Sequence, residues 1–474
     1  MKESHLSRRQ LLGLLGVAGG VFATTALAAC SGATPSPTAT TQPAASSGGN
    51  APAPTPTTAP AAAATTAPTA TTAPATGATP ASPTPAAQPT AAASTQGELV
   101  FGSPLGLTGP NAVEGKLTKN GYDLWVKVVN QAGGIKAGGK TYTVSIKYYD
   151  DASKPDQSAQ LTERLITQDG IKLLFGPYGS PTTFQASSIA EKYKVPMVEG
   201  NGAAENIFSR GYKYIFGTLS PARQYGAVML DMAMHLDPKP KTVVILSAND
   251  NFSLEVGTGA ENFAKQQGLT VAQHQKYPAN ATDLSAIVTQ AKQANPDVML
   301  NSGHLPESLA IMKAAKELDF NPKLFCFTVG PTTPNFLSTL KEAAEYVVAS
   351  SQWTDAEKWQ GTDIFGTPQK FSELYQKDYG EVPDYHAADG GSVGVAMQAA
   401  IEKANSIEPE AVRDALATLD IMTFYGPIKF DERGINSIHP MAVQQIQKGK
   451  LLTVWPADVA EAKPLYPTPE WSKR

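Results

Sequence analysis

The chain reads as an α/β protein of two Rossmann-like halves, and three observations carry that expectation. Strand-like and helix-like segments alternate along most of residues 98 to 474. Several of the strands are continuous apolar runs, as in parallel sheets covered by helices on both faces. About 377 residues follow from Glu98 onward, more than one hydrophobic core normally supports.

The elements follow in order. Leu99 to Leu105 reads as a first strand. Leu117, Leu124, Trp125, Val128 and Val129 then fall on one face of a helix, and Gly133-Gly134 supplies a left-handed stop. Tyr142, Val144, Ile146 and Tyr148 alternate with Thr143, Ser145, Lys147 and Tyr149, which is period two and hence a strand, ending at Asp150-Asp151. Pro155 to Asp169 reads as a helix, Lys172 to Phe175 as a buried strand, Pro181 to Tyr193 as a helix and Val195 to Val198 as a strand. After Tyr214-Ile-Phe-Gly217 the alternation resumes. Thr242 to Ser247 is a strand, Leu254 to Gln267 a helix closed by Gly268, Val298 to Asn301 a strand, Ser308 to Asp319 a helix and Leu324 to Phe327 a strand. Right-handed crossovers join units of this kind.

Ahead of this region lie two segments that carry no fold. Leu27-Ala-Ala-Cys30 ends an apolar stretch behind Ser7-Arg8-Arg9-Gln10-Leu11-Leu12 and resembles a bacterial lipobox, which makes 1–29 a signal peptide and Cys30 the lipidated residue. The paired arginines also resemble a twin-arginine export signal, with Leu11 and Gly13 where Phe and Lys are usual. An uncleaved anchor over Leu11 to Ala29 is the alternative. A general secretory route stays open beside the twin-arginine one, and with cleavage at the lipobox either route leaves the mature protein on the extracytoplasmic face of the membrane, held by the lipid on Cys30. Residues 31 to 96 are almost wholly Ala, Thr, Pro, Ser and Gly, without a charge or an aromatic ring. Such a segment cannot bury enough surface to offset its chain entropy and reads as a disordered tether, with an extended reach on the order of 200 Å.

Composition removes several function classes. Taking Lys2, Arg8, Arg9 and Glu3 from the 38 basic and 42 acidic residues leaves 35 and 41, a mildly acidic surface with no basic cluster for a phosphate backbone, so nucleic acid is not an expected partner. With Cys30 lipidated, Cys326 stands alone and no intrachain disulfide is possible. Its apolar setting, Lys323-Leu-Phe-Cys-Phe-Thr328, reads as a buried strand. The six histidines form no HxxxH pair, so a structural or catalytic zinc is not expected, and no other cofactor is expected either. Gly109 to Lys116 has five residues between its glycines and Leu117 where a P-loop needs Ser or Thr, and Gly102, Gly106 and Gly109 have the wrong spacing for a dinucleotide fingerprint. Gly390-Gly-Ser-Val-Gly394 matches the nucleophile elbow of serine hydrolases, with Ser392 as the nucleophile. No apolar strand precedes it, and its glycines read better as helix-packing residues.

Open parallel sheets bind ligands beyond the carboxyl ends of their strands, so the loops there are the informative ones. In Gly176 to Thr183, Ser180 reads as an N-cap with Pro181 at the first helical position, and the helix start, with Thr182 and Thr183, offers a seat for a carboxylate without Lys or Arg, or else a plain cap. Glu199 to Glu205 is small and polar, with Asn201 and Ala203 lining it. Asn249-Asp-Asn-Phe-Ser253 presents Phe252 ahead of a helix that reads as capped by Ser253, unless Phe252 is simply core.

With these loops in view, the chain resembles the solute-binding components of ABC importers of the leucine/isoleucine/valine type, from about residue 98 to about 450. Gly106-Leu-Thr-Gly-Pro110, Asn130-Gln-Ala-Gly-Gly-Ile135, Tyr148-Tyr-Asp-Asp151, Gly176 to Ser180, Asn249-Asp-Asn-Phe252 and Phe424-Tyr-Gly-Pro427 carry the resemblance. It implies a type I periplasmic binding fold: two lobes, 97–217 with 350–436 and 218–349 with 437–474, joined by three hinge crossings. It implies a ligand-binding set of Ser180, Asn201, Ala203, Phe252, His304 and Tyr385, with Ser180 on the ligand carboxylate, and the helix-start reading adds Thr182. Two positions depart from the pattern. Val329 stands where branched-chain binders carry the glutamate that receives the ligand's ammonium, and Glu114 stands where an aromatic residue is common. Either Glu114 or Asp389 takes over that ammonium, or the solute lacks one. The implied function is capture of an amino acid or related small carboxylate or amide by hinge closure, and its delivery to ABC permease subunits. A sensing lipoprotein of the same fold, or a hydrolase using Ser392, are the alternatives.

Overall fold

The structure is a computed structural model that describes residues 97–474; the expected signal peptide, the expected lipidation at Cys30 and the expected tether lie outside the described residues. The described chain falls within one unit, Ala91–Arg474. Its order is β1 (Gly97–Leu105), α1 (Ala112–Gln131), β2 (Ile135–Ala137), β3 (Lys140–Asp150), α2 (Pro155–Thr167), β4 (Leu174–Phe175), α3 (Ser180–Tyr193), β5 (Met197–Glu199), β6 (Ile215–Gly217), α4 (Arg223–Ala233), β7 (Thr242–Ala248) and α5 (Asn251–Gln266). There follow β8 (Thr270–Tyr277), α6 (Ser285–Gln293), β9 (Val298–Ser302), α7 (Leu305–Glu317), β10 (Leu324–Phe327), α8 (Pro334–Leu340) and β11 (Val348–Ser351). The chain ends with α9 (Pro368–Tyr379), α10 (Tyr385–Ala404), α11 (Pro409–Ala417), β12 (Asp420–Thr423), β13 (Gly426–Lys429), β14 (Ala442–Gln447) and β15 (Lys450–Trp455).

Two large sheets result. The first has the order β2-β3-β1-β4-β5-β6 and is parallel except for the β2–β3 hairpin. The second, β15-β14-β11-β10-β9-β7-β8, is parallel from β11 to β8, with β14 and β15 added antiparallel at one edge. Each sheet carries apolar clusters on both faces. Phe101, Trp125 and Phe175 pack with residues of α10 on one face of the first, and Leu174, Met197 and Ile215 with Ala186 and Ala190 of α3 on the other. In the second sheet Met299 and Phe325 face Val288 and Ile311, whereas Val243, Leu300 and Cys326 face Met229 and Ala260. Side chains this large contribute about 1.5–3 kcal/mol each when fully buried, which is why continuous apolar runs fix these strands.

Local stops and starts follow the chemistry of their residues, with two corrections. Gly133 and Gly134, at φ +101° and +86°, end α1, and Gly268, at φ +72°, follows α5. Ser253 does not cap α5: Asp250 does, accepting Ser253 N at 2.9 Å, because a carboxylate there also meets the positive end of the helix. Ser180 is likewise not the cap of α3. Gly179, at φ +91°, holds that position, and Ser180 and Pro181 are the first two helical residues. Helices α1 and α10 cross at Gly121 and Gly390, where a Cβ on either would overlap the partner's backbone, and Gly394 lies flat against the Trp125 ring.

The chain passes between the sheets after β6, after β11 and before β14. Those passages are tied to one another. Ser220 N donates to Gln352 Oε1 at 3.1 Å and Gln352 Nε2 returns to Ser220 O at 3.3 Å. Ser220 Oγ donates to His439 O at 2.6 Å, and His439 Nε2 donates to Gln352 O at 2.8 Å. Burial lowers the His439 pKa to about 4, and the neutral ring stacks on Tyr425 at 4.3 Å.

Candidate functional site

The carboxyl ends of the parallel strands of both sheets meet along a buried, polar contact. From the first sheet, the turn after β4 supplies Tyr178, whose hydroxyl lies 3.2 Å from His304 Nδ1 and 3.5 Å from His386 Nε2. His304 comes from the second sheet, at the N-cap of α7 just beyond β9; its backbone N donates to Glu307 Oε2 at 3.1 Å, which holds the turn. The His304 ring lies 5.6 Å from Phe252 and 3.9 Å, at Nε2, from Asp250 Oδ2. Phe252 in turn meets Tyr225 edge-on at 5.1 Å, and both share an apolar cluster with Ala203 and Val329.

Two more elements complete the contact. At the start of α10, His386 Nδ1 pairs with Asp384 Oδ2 at 2.6 Å, and Tyr385 stacks on the His386 ring at 4.0 Å. In the first turn of α1, Glu114 Oε1 accepts Leu305 N of α7 at 3.3 Å, a bond from one sheet's helix to the other's, whereas its Oε2 is buried without a partner. Burial raises the Glu114 pKa, and proximity to His304 and His386 opposes the rise. Asp389 is held well above the usual carboxylate range by burial, although Tyr425 donates to its Oδ1 at 2.5 Å. Glu199, at the end of β5, is pushed up to about 8 by burial, with Asn201 N and Gly202 N donating to its Oε2. Among the described residues the buried polar set contains no Lys or Arg, and no group of three or more His, Cys, Asp or Glu is placed to hold a metal ion.

Of the expected site residues, Phe252, His304, Tyr385 and Glu114 meet at this contact, and Ala203 lies in the cluster beneath Phe252. His304 is buried and not a solvent-facing loop residue. Ser180 Oγ accepts Ala204 N at 3.1 Å, a role that commits a lone pair and leaves the hydroxyl proton for another acceptor. The Thr182 hydroxyl instead turns back to the carbonyls of Tyr178 and Gly179, so helix entry uses it. Asn201 O accepts Gly179 N at 3.1 Å, and its Nδ2 is buried without a partner. Ser392 is fixed inside α10, donating to Asp389 O at 2.7 Å, which is not the exposed strand-to-helix turn a nucleophile elbow requires. Sequence reasoning did not single out Tyr178, Tyr225, Asp250, Asp384 or His386. Tyr178 lay inside the Gly176 to Ser180 motif and His386 beside Tyr385; Tyr225, in the first turn of α4, carried no signal.

The sequence model described as periplasmic binding protein matches residues 98–450. The chain belongs to that family. The Leu/Ile/Val-binding protein homolog 8 of Brucella abortus is 28% identical over 382 residues, covering 77% of this chain and 92% of the relative; homolog 7 from the same organism is 27% identical over 383. In three dimensions the chain resembles the leucine binding protein LivK of Thermotoga maritima, with a TM-score of 0.66 and 22% identity over 75% of this chain and 97% of that one. LivJ of Streptococcus pneumoniae, solved with isoleucine, gives 0.67 and 20% identity over 78% and 100%. A Rhodopseudomonas palustris solute binding protein, solved with benzoate, gives 0.65 and 18% identity over 75% and 95%. These are binding proteins, so the family is one of capture and not of catalysis, and its members work outside the cytoplasm.

Proposed function

We propose that the protein is the solute-capturing lipoprotein of an ABC importer, anchored through Cys30, with the 30–96 segment as a tether. Its two lobes would be 97–217 with 350–436 and 218–349 with 437–474, each built on one sheet. A small amino acid or related carboxylate is taken between them, favours the closed arrangement by touching both, and is handed to the permease. Ser180 and Asn201 present donors to the solute's carboxylate, Ala203 and Phe252 line its apolar part, and Glu114, His304 and Tyr385 close over it. Thr182 supports the turn that presents Ser180. The observation that carries this reading is the Tyr178–His304 contact: side chains from the strand tips of both sheets already meet there in a buried polar setting. The ligands of the solved relatives, isoleucine in one and benzoate in another, bracket the solute class.

The test is a melting-temperature panel of aliphatic and aromatic amino acids and benzoates. A solute present at a hundredfold its Kd stabilises the folded state by about 2.7 kcal/mol, a shift of several degrees. Absence of any shift across the panel refutes the proposal. For the anchor, Cys30→Ala should move the protein from the detergent phase to the aqueous phase on phase separation, and unchanged partition refutes lipidation at Cys30.

A further inference from the structure

Resting on that solute-binding reading, we propose that Glu114 receives a cationic ammonium group of the solute, so that the site selects amine-bearing solutes over the matching simple carboxylates. Glu114 is fully buried in the first turn of α1, at the place where the two sheets' helices touch. One of its oxygens takes the Leu305 N–H, and the other, Oε2, is buried with no partner. A buried carboxylate left half-satisfied is costly, and a cation within hydrogen-bond reach removes that cost.

The protein's own cations do not fill that place. No Lys or Arg is buried among the described residues. The two facing histidines are committed elsewhere, His386 to Asp384 at 2.6 Å and His304 to Tyr178 at 3.2 Å. Val329, the position expected to carry an acid in branched-chain binders, is an apolar member of the cluster under Phe252 and offers no acceptor side chain. A second orphan of opposite character stands at the other strand tip: Asn201 Nδ2, a donor, is buried without a partner. An amine-bearing carboxylate brings an acceptor for a donor of this kind and a cation for Glu114, whereas a bare carboxylate brings only the acceptor and meets Glu114 as a like charge.

Asp389 also has a partnerless oxygen, Oδ2, but its other oxygen is held by Tyr425, and its backbone carbonyl packs on Gly200 within the first sheet's layers. Glu114 is the acid bonded across to the second sheet's helix, the place where a captured solute has to be recognised.

Isothermal titration of the full chain with matched probes decides the matter: L-leucine against 4-methylpentanoate, L-phenylalanine against 3-phenylpropanoate, and benzoate and 4-hydroxybenzoate alone. In at least one pair the amino acid should bind 100-fold or more tightly than its partner lacking the amine. Glu114→Gln, which keeps an acceptor for Leu305 N, should bring that ratio below tenfold, and Asp389→Asn should leave it in place. Equal or tighter binding of the carboxylates overturns the Glu114 assignment while preserving the solute-binding reading, and so does a ratio that survives Glu114→Gln or falls only with Asp389→Asn. The wild-type ratio needs no variant, so misfolding of one cannot shield the proposal. No binding by any of the six probes overturns both.

Discussion

Replacing Glu199 by Gln tests whether the acid at the foot of the Asn201 loop is kept neutral by its surroundings. Its side chain is fully buried, with Asn201 N at 2.9 Å and Gly202 N at 2.5 Å on one oxygen. Burial moves its pKa from the ordinary 4.5 to about 8, the two N–H bonds only partly opposing. In the folded state the carboxyl therefore holds its proton where the unfolded chain releases it. The associated stabilisation is complete below pH 4.5 and is lost as pH rises through 8. The interval from 4.5 to about 8, at about 1.4 kcal/mol per pH unit, amounts to about 5 kcal/mol in full. Between pH 5.5 and 8.5 the same linkage removes about 3 kcal/mol. Gln carries no proton to lose, accepts both N–H groups through its carbonyl, and keeps every other titrating group in place. Urea unfolding followed by tryptophan fluorescence should thus show wild type losing about 3 kcal/mol relative to Glu199→Gln over that range. Stability curves that run parallel within about 0.5 kcal/mol would refute the reasoning.

Three further outcomes follow from the packing. Gly121→Ala pushes a methyl into Ala387 O where α1 crosses α10, and should cost about 3 kcal/mol or more, read as a drop in melting temperature; a loss under about 1 kcal/mol would mean the helices separate easily. Burial raises the Cys326 thiol pKa well above its ordinary value, so the native protein should resist a thiol-reactive disulfide reagent and react only on unfolding. His439, lowered from 6.5 to about 4, favours folding above pH 6.5 and loses that contribution as the pH falls towards 4; His439→Gln should remove about 3 kcal/mol of acid sensitivity between pH 7 and 4, measured by urea midpoints.

The parallel strands were legible because burial on both faces leaves an unbroken apolar run, as in Thr242–Ala248. The edge strand Thr270–Tyr277 was not, because its exposed side is polar and its residues alternate only loosely, and the nine-residue helix after it is too short to show its period. The two cap errors share a cause. Ser180 and Ser253 are both good capping residues, but Gly179 reaches a backbone conformation that serine rarely adopts, and Asp250 adds charge to hydrogen bonding. At the candidate site, loops after strands pointed to Phe252 and Asn201 by position alone. His386 and Tyr225 sit on helices whose faces are set by distant packing, and the Glu114 bond to Leu305 joins residues 191 apart in sequence, so no local pattern could announce them.

The mutual bonding of Ser220, Gln352 and His439 has a mechanical consequence. Because each strand of the connection holds a neighbour's main chain, none can twist alone without breaking a partner's bond. The three passages are therefore bonded into one unit, and a twist of any one of them strains the other two. Under the proposed hinge closure, sliding of one sheet past the other would break these bonds whereas a common turn of the three passages would keep them, so the linkage favours turning over shear.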